Sequence, residues 1–192
     1  MKVVAVSGSA RKGGNTAQLI EAVFVPLREA GIECDLVELA AKDVRGCTAC
    51  RKCFEAKDEQ CHGRKDYLLE VLPKLWAADA IILGSPTYFA DITTEMKALI
   101  DRTGYVSMAN GGLLRRKVGA GVVAVRRGGG IHTFDSLNHL FFISQMVVVG
   151  STYWNLGYGR EKGEVQEDAE AMRNMANLGE NIAWILGRLG EE

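Results

Sequence analysis

Five short apolar runs, alternating with stretches of helical periodicity, restrict the folds open to this chain more than any other feature. The runs occupy residues 3–6, 32–39, 80–84, 118–125 and 146–149. In the second run Ile32, Cys34 and Leu36 alternate with polar residues, which predicts a strand less buried than the first. Short apolar runs are typical of strands buried on both faces, and parallel strands that alternate with helices are joined by crossovers. This order predicts a doubly wound α/β fold, with a five-stranded parallel sheet and helices on both faces.

The chain is long enough for one core, and we expect its 192 residues to form a single domain. Apolar spacing predicts helices over about 16–31, 66–78, 94–102, 134–141 and 172–189. Pro26 and Pro73 interrupt the first two, so a kink or an earlier end is expected there. Gly31 is placed to end the first helix in a left-handed cap, and Thr93 or Thr94 to cap the third.

Charge and hydropathy argue against some partners. The 23 basic and 24 acidic residues give a net charge of -1, which provides no electrostatic basis for binding nucleic acid or an anionic membrane. The N-terminus lacks the long apolar core of a signal peptide, and no run approaches the about 18 apolar residues of a membrane span. We therefore expect a cytoplasmic protein.

The segment 7–16, Ser-Gly-Ser-Ala-Arg-Lys-Gly-Gly-Asn-Thr, joins the first strand to the first helix. Ligands of doubly wound sheets bind at such strand ends, and amides at a helix N-terminus attract anions. The segment matches neither the ATP-binding P-loop nor the dinucleotide fingerprint, so a monophosphate is predicted. The alternative is an ordinary polar turn with a capping side chain. The side chains expected to bind phosphate are Ser9, Arg11, Asn15 and Thr16.

Four of the five cysteines lie close together in the sequence: Cys47, Cys50, Cys53 and Cys61. The C-x2-C-x2-C spacing lets successive thiolates converge on one soft metal centre, and the fourth completes a set that suits an iron-sulfur cluster or zinc. Four reduced thiols or two disulfides are the alternatives. The clustering and the odd total favour a reducing compartment, with Cys34 left as a small strand residue.

Three motifs carry a resemblance to a known family: Gly8-Ser9-Ala10-Arg11 with Gly14-Asn15-Thr16, Gly84 to Phe89, and Leu99 to Arg102. They resemble the flavodoxin-like NAD(P)H-dependent FMN reductases. The cysteine run, an insertion at about 45–65, is similar to that of the iron-sulfur flavoprotein branch, which pairs FMN with a [4Fe-4S] cluster. The resemblance implies FMN as cofactor and the four clustered cysteines as cluster ligands. The last of them lies at the long end of the expected spacing.

The resemblance also implies where the flavin ring binds. Such a ring needs backbone amides at one edge and a planar or apolar wall, which the turn after the third strand can provide. A glycine-rich loop after the fourth strand offers close backbone approach and positive charge. A plain aromatic turn and a flexible connection are the alternatives. The residues expected at the ring are Ser85, Pro86, Thr87, Tyr88, Phe89, Arg127, Gly128, Gly129 and Gly130.

The leading hypothesis is a redox flavoprotein that transfers electrons between a reductant, FMN and a cysteine-ligated cluster; no catalytic side chain is expected because the flavin carries the chemistry. NAD(P)H or a ferredoxin-like protein is the expected donor, a small molecule the oxidant, and a homodimer or homotetramer the assembly. One alternative is a cluster-free NAD(P)H-dependent FMN, quinone or nitro-compound reductase. Another is a zinc- or thiol-based binding module or redox sensor.

Overall fold

The structure is a computed structural model that describes residues 1–190. Its strands are β1 (Lys2–Ser7), β2 (Glu33–Glu38), β3 (Ala80–Pro86), β4 (Val118–Val125), β5 (Val147–Val148) and β6 (Leu156–Tyr158). All pair in parallel, in the order β2-β1-β3-β4-β5, with β6 also beside β4. Because β1 lies inside the sheet with β2 and β3 on either side, the chain reverses its winding there. The predicted doubly wound α/β fold is confirmed.

The edge beside β4 differs from the prediction. The sequence predicts one fifth strand over 146–149, whereas two short strands share that position and make the sheet six-stranded. β5 pairs with the start of β4 and β6 with its end. Between them the Asn155 side chain donates from Nδ2 to the Gly121 carbonyl at 3.0 Å. This bond satisfies a β4 carbonyl where the neighbouring chain leaves the sheet.

Helices cover both faces of the sheet. They are α1 (Asn15–Glu29), α2 (Lys52–Ala56), α3 (Leu68–Ala77), α4 (Thr94–Ala109), α5 (Gly130–Ile143) and α6 (Ala169–Leu189), with a 3-10 helix at Glu164–Glu167. α1 and α6 contribute to one core cluster, and α3, α4 and α5 to the other. Val3 and Val4 of β1 belong to different clusters because successive strand residues point to opposite faces. Within residues 1–190, no helix is long and apolar enough to cross a membrane.

The proline in α1 does not end the helix early. The helix continues through Pro26 to Glu29, and Gly179 of α6 packs closely against the Pro26 ring. Any Cβ at position 179 would lie 2.5 Å from the Pro26 Cγ, so glycine permits the two helices to approach. The predicted left-handed cap at Gly31 is confirmed by its φ of 76°.

α4 runs about two turns beyond the prediction. It begins after Thr93, whose hydroxyl accepts the Met96 N–H at 3.3 Å, so the predicted cap is confirmed. The sequence analysis ends this helix at residue 102, but it continues to Ala109. The additional turns bring Tyr105 and Val106 to the cavity that the clustered cysteines line. The length of α4 therefore matters for that site.

Candidate functional site

A cavity of about 260 Å³ opens at the carboxyl ends of β1, β3 and β4. Loops that follow these strands supply most of its wall, as expected for a doubly wound sheet. The structure brings together all four predicted phosphate ligands and three of the predicted ring residues. The residues that line this cavity are Ser9, Arg11, Asn15, Thr16, Pro86, Thr87, Tyr88, Ala124, Arg126, Gly159 and Arg160.

Hydrogen bonds hold the loop between β1 and α1 in place. The Gly8 N–H donates to the Gly84 carbonyl at 2.8 Å, and the Thr93 hydroxyl donates to the Gly8 carbonyl at 2.9 Å. A Cβ at Gly8 would lie 2.9 Å from both Met96 Cβ and Thr93 Oγ1, so glycine allows this close approach. The loop is therefore anchored by β3 and by the start of α4.

The start of α1 has donors that the protein leaves unused. No side chain caps this helix, whose N-cap residue is Gly14. The Thr16 hydroxyl is buried and has no hydrogen-bond partner among the described residues. A helix N-terminus carries partial positive charge, and a buried hydroxyl without a partner costs free energy. An anion here would satisfy both features, so the loop fits a phosphate group.

A loop that the sequence analysis missed forms another wall of the cavity. Residues 159–163 follow β6, and two of them line the cavity. Arg11 Nη1 donates to the Arg160 carbonyl at 2.9 Å. The Asn15 amide donates to the Glu161 carbonyl at 2.9 Å and accepts the Gly163 N–H at 2.8 Å. Arg11 and Asn15, two of the four predicted phosphate ligands, thus also tie the first loop to this second one.

The turn after β3 contributes three of its five predicted ring residues to the cavity. Ser85 is fully buried instead, where its hydroxyl donates to the Pro86 carbonyl at 2.9 Å and accepts the Thr93 N–H at 3.1 Å. Phe89 is fully exposed, with a φ of 47°, in a tight turn closed by backbone bonds between Tyr88 and Asp91. Neither Ser85 nor Phe89 lines the cavity.

The loop after β4 presents Arg126 to the cavity, whereas the predicted Arg127 and the glycines 128–130 lie outside its lining. Gly129 has a φ of 82°, and a Cβ there would lie 3.0 Å from the Ala90 Cα. The Thr133 hydroxyl joins the two loops, at 3.1 Å from Thr87 Oγ1 and 3.2 Å from the Gly129 carbonyl oxygen. The glycine loop therefore supports the turn after β3 from behind.

The four clustered cysteines line one small second cavity. Cys47 and Cys50 are exposed, Cys61 is half-buried, and Cys53 is buried in the core cluster that includes α3 and α4. The sequence analysis did not predict α2, which carries Cys53. All five cysteines of the chain are free, so the two-disulfide alternative is wrong.

Buried side chains close the base of the cysteine segment, which we define as residues 45–66. Asp66 Oδ2 accepts the Arg45 N–H at 2.9 Å, so the two ends of the segment meet. Arg102 of α4 pairs with the same carboxylate, and both side chains are fully buried. Arg102 Nε also donates to Cys61 Sγ at 3.3 Å. Helix α4 thus contacts the segment at its base and at one thiol.

The environments of two cysteines differ in their effect on ionisation. Hydrogen bonds from the Lys52 backbone and the Thr48 hydroxyl lower the pKa of Cys50. Burial raises the pKa of Cys53. Because the thiolate is the metal-binding form, Cys53 depends more on a bound cation to lose its proton.

The four thiols line one cavity, but in this structure they are not grouped as the ligands of a metal ion. A zinc ion binds each sulfur at about 2.3 Å, so its ligands crowd around one point. Among residues 1–190, no three His, Cys, Asp or Glu side chains are grouped to hold a metal ion in this way. His62, which follows Cys61, pairs with Asp58 through Nε2 at 2.9 Å.

Comparison with known proteins identifies the family. The sequence profile described as NADPH-dependent FMN reductase matches residues 1–161. The chain belongs to this family. An iron-sulfur flavoprotein of Methanocaldococcus jannaschii is 35% identical over 193 residues, which cover 97% of each chain. Another, from Methanosarcina thermophila, is 32% identical over 188 residues, which cover 97% of this chain and 95% of that protein. The predicted resemblance to the iron-sulfur flavoprotein branch is confirmed.

Solved structures agree on the fold of this chain. A flavodoxin, WrbA-like protein from Agrobacterium tumefaciens superposes with a TM-score of 0.65 over 97% of both chains, at 16% identity. At that identity the likeness concerns the fold alone. Membership in the family makes the protein an FMN-binding flavin-dependent oxidoreductase. The predicted phosphate loop lines the cavity at the strand ends.

A larger groove, about 660 Å³, lies between α4 and α5. Its wall mixes apolar side chains such as Met108 and Ile143 with charged ones such as Lys97 and Asp101. It contains no residue of the phosphate loop. Size alone therefore does not decide which cavity binds FMN.

Proposed function

We propose that the strand-end cavity holds FMN with its phosphate on the loop 9–16. The Thr16 hydroxyl without a partner and the uncapped start of α1 support this orientation, because a phosphate supplies acceptors to both. The Arg11 side chain adds positive charge beside the loop. The predicted ligand Asn15 keeps its place in the wall, where its amide orders the 159–163 loop.

We infer that the flavin ring lies toward the turn after β3. Thr87 and Tyr88 supply backbone and an aromatic face there, and Arg126 supplies the positive charge that the sequence analysis expects from Arg127. Positive charge near the N1 edge stabilises a reduced flavin. Ser85, Phe89 and the glycines 128–130 act behind this wall or outside it. FMN, when bound, exchanges either one or two electrons with its partners.

We propose that Cys47, Cys50, Cys53 and Cys61 ligate a [4Fe-4S] cluster. The single observation that carries this proposal is the cavity that all four thiols share. Four irons each take one thiolate, so a set of four cysteines suits a cluster of this kind. The two archaeal relatives named above are called iron-sulfur flavoproteins.

The proposed activity is electron transfer between a reductant, FMN and this cluster. The family description supports NAD(P)H as reductant, and a ferredoxin-like protein is the second candidate. A small-molecule oxidant, a cytoplasmic location and a homodimer or homotetramer complete the proposal. The groove between α4 and α5, with Met108 and Ile143 exposed beside it, supports assembly through that face.

Anaerobic purification with one absorption spectrum and assays of iron, acid-labile sulfide and FMN tests the proposal. About four irons and four sulfides with one FMN per chain are expected for a [4Fe-4S] flavoprotein. FMN without iron supports the cluster-free reductase, which the exposure of Cys47 and Cys50 favours as the second candidate. One zinc per chain without flavin supports the binding-module alternative instead. Stopped-flow mixing with NADH, NADPH or reduced ferredoxin then identifies the donor.

A further inference from the structure

Arg102 is the only cation from outside the cysteine segment among the residues that line the cysteine cavity. It lies on α4, is 1% exposed, and points its guanidinium at three parts of the segment. Nε donates to Cys61 Sγ at 3.3 Å, and Nη1 donates both to the Arg45 carbonyl at 3.0 Å and to the Asp66 carboxylate. One side chain therefore joins the base of the segment to its last cysteine.

The hydrogen bond from Arg102 reaches Cys61, the fourth proposed ligand. The first three cysteines are close in sequence, whereas seven residues separate Cys53 from Cys61, and a longer loop costs more entropy to order. Helix α4 lies against that loop, and its buried Arg102 donates a hydrogen bond directly to the Cys61 sulfur. The Arg–Asp66 pair fixes the arginine in turn.

One donor of Arg102 remains unused. Nη2 is buried and finds no acceptor among the described residues. Leaving a buried charged donor without a partner is costly. Since Arg102 lines the cavity, an anionic occupant with sulfur acceptors would supply the missing partner.

We propose that Arg102 is the positioning residue for Cys61, and that its N–H···S bond raises the reduction potential of the cluster. The inference rests on the proposed function, because it presupposes a cluster on the four thiols. An N–H donor withdraws electron density from a ligand sulfur and stabilises the extra negative charge of the reduced cluster. Arginine suits this task because its planar fork serves three acceptors at once, which an ammonium group in the same place does not do.

The test compares anaerobically reconstituted wild type with Arg102→Lys, Cys61→Ala and the double variant, using Arg64→Lys as matched control. Arg64 lines the same cavity but is exposed. Arg102→Lys is expected to release iron to a chelator about 10- to 100-fold faster, and to titrate at a more negative midpoint potential. The rate of iron release from Arg64→Lys is expected to stay within about twofold of the wild-type rate, because the substitution keeps an exposed charge that solvent ions screen.

The double variant separates positioning from general support. If Arg102 acts through Cys61, the double variant releases iron at the rate of Cys61→Ala alone, whereas a purely structural role makes the two effects multiply. Wild-type iron release and potential in Arg102→Lys would overturn the inference while leaving the cluster intact. Wild type that binds no iron overturns the proposed function, and the inference with it.

A second measurement needs no variant and so does not depend on the folding of Arg102→Lys. Electron-nuclear double resonance of the reduced wild-type cluster, in protein labelled with nitrogen-15 arginine, is expected to detect a coupled arginine nitrogen. A reduced cluster without such a coupling contradicts the N–H···S bond.

Discussion

The strand-end cavity, where FMN binding is proposed, and the cysteine segment are built in opposite ways. The phosphate loop is held by backbone bonds to β3 and by the Thr93 side chain, and the ends of three central strands form the floor of its cavity. The cysteine segment has one short helix, and four of its non-glycine residues adopt left-handed backbone: Ala49, Arg51, Lys57 and Glu59. Such backbone costs about 1–2 kcal/mol per residue.

The difference teaches what each site requires of its ligand. A cavity at strand ends is held open by the sheet, so the proposed FMN site has a backbone that the fold itself orders. The cysteine segment contains little regular structure, and its contacts with the rest of the chain include the Asp66–Arg102 pair, the buried Cys53 and hydrogen bonds of Glu59 with Trp76 and Asn110. Metal binding to such a segment contributes directly to its folding. The two sites are therefore expected to respond independently to mutation.

The largest effect is expected from Cys53→Ser. This thiol is the buried one of the four, and we expect its loss to remove all iron and sulfide while FMN remains at one per chain. Cys34→Ser is the matched control, because Cys34 lies in β2, away from the segment, and it should change neither cofactor. The measurement is the absorption spectrum with iron, sulfide and FMN assays. Joint loss of iron and FMN would break the expected independence of the sites.

Asp66→Asn is expected to lower the free energy of unfolding by about 3–5 kcal/mol, because it leaves the buried Arg102 charge unpaired. Asp43→Asn is the control, since its pair with Arg45 is exposed and contributes about 0–1 kcal/mol. Denaturant unfolding of the apoprotein measures both. If the two variants are equally stable, the buried pair does not close the segment.

The same pair predicts a pH dependence. Burial opposes ionisation of Asp66, but the hydrogen bonds from Arg102 and the Arg45 backbone prevail and lower its pKa. Stability from a lowered carboxyl pKa is present above the unfolded pKa of about 3.9 and is lost as pH falls through the folded value. The difference between wild type and Asp66→Asn should therefore be full at neutral pH and shrink below about pH 4. A constant difference down to pH 2 contradicts this assignment.

Arg11→Ala is expected to weaken FMN binding by about 1.5–3 kcal/mol, roughly 10- to 100-fold, because a charge-assisted phosphate contact is lost. Riboflavin, which has no phosphate, should bind wild type and variant equally. Lys12→Ala is the matched control, since Lys12 is the adjacent exposed cation and does not line the cavity. Fluorescence titration of the apoprotein with each flavin measures the affinities of wild type, Arg11→Ala and Lys12→Ala. Equal losses for FMN and riboflavin would place Arg11 away from the phosphate.

Sequence reasoning found the features that depend on local pattern. The strands follow from apolar runs, and the phosphate loop follows from a strand end, glycines and a helix start. These signals predict Ser9, Arg11, Asn15 and Thr16 as ligands, and the four residues do meet in one cavity. The four cysteines were likewise recognised by spacing alone, and they also share a cavity. In each case the residues that meet are close in sequence.

What it missed depends on contacts between distant residues. The 159–163 loop reaches the cavity through bonds from Arg11 and Asn15, nearly 150 positions earlier, and its only local signal is the glycine pair around Tyr158. Arg126 rather than Arg127 faces the cavity because the direction of a loop side chain depends on how the loop packs. Arg102 belongs to a recognised motif, but its partners at 45, 61 and 66 are brought together only by the fold.

Gly129→Val tests how far the glycine loop after β4 supports the turn after β3 and, through it, the proposed FMN cavity. A valine would take a φ of 82° and place its Cβ 3.0 Å from the Ala90 Cα, so we expect a stability loss of about 1–2 kcal/mol from the backbone alone. FMN binding should weaken as the turn after β3 shifts. Gly128→Val is the control, because no atom lies within 4 Å of its Cβ position, and it should cost under about 0.5 kcal/mol. Identical unfolding curves for the two variants contradict the supporting role.

Thr16→Val gives the smallest effect and the sharpest test of the phosphate site. Its hydroxyl is buried without a partner in the described chain, so removing it should leave the apoprotein as stable as wild type or more stable by about 1 kcal/mol. FMN affinity should fall by about 0.5–1.5 kcal/mol, roughly two- to tenfold, because a phosphate hydrogen bond is lost. Thermal unfolding and FMN titration measure the two changes, which are expected to have opposite signs.

Ser7→Ala is the matched control for that experiment. The Ser7 hydroxyl is also buried without a partner in the described residues, but Ser7 does not line the FMN cavity. Its removal should therefore stabilise the apoprotein in the same way without changing FMN affinity. Only the removal of a hydroxyl that binds the ligand both raises the stability of the apoprotein and lowers FMN affinity. Unchanged FMN affinity in Thr16→Val would show that the phosphate does not bind at this hydroxyl.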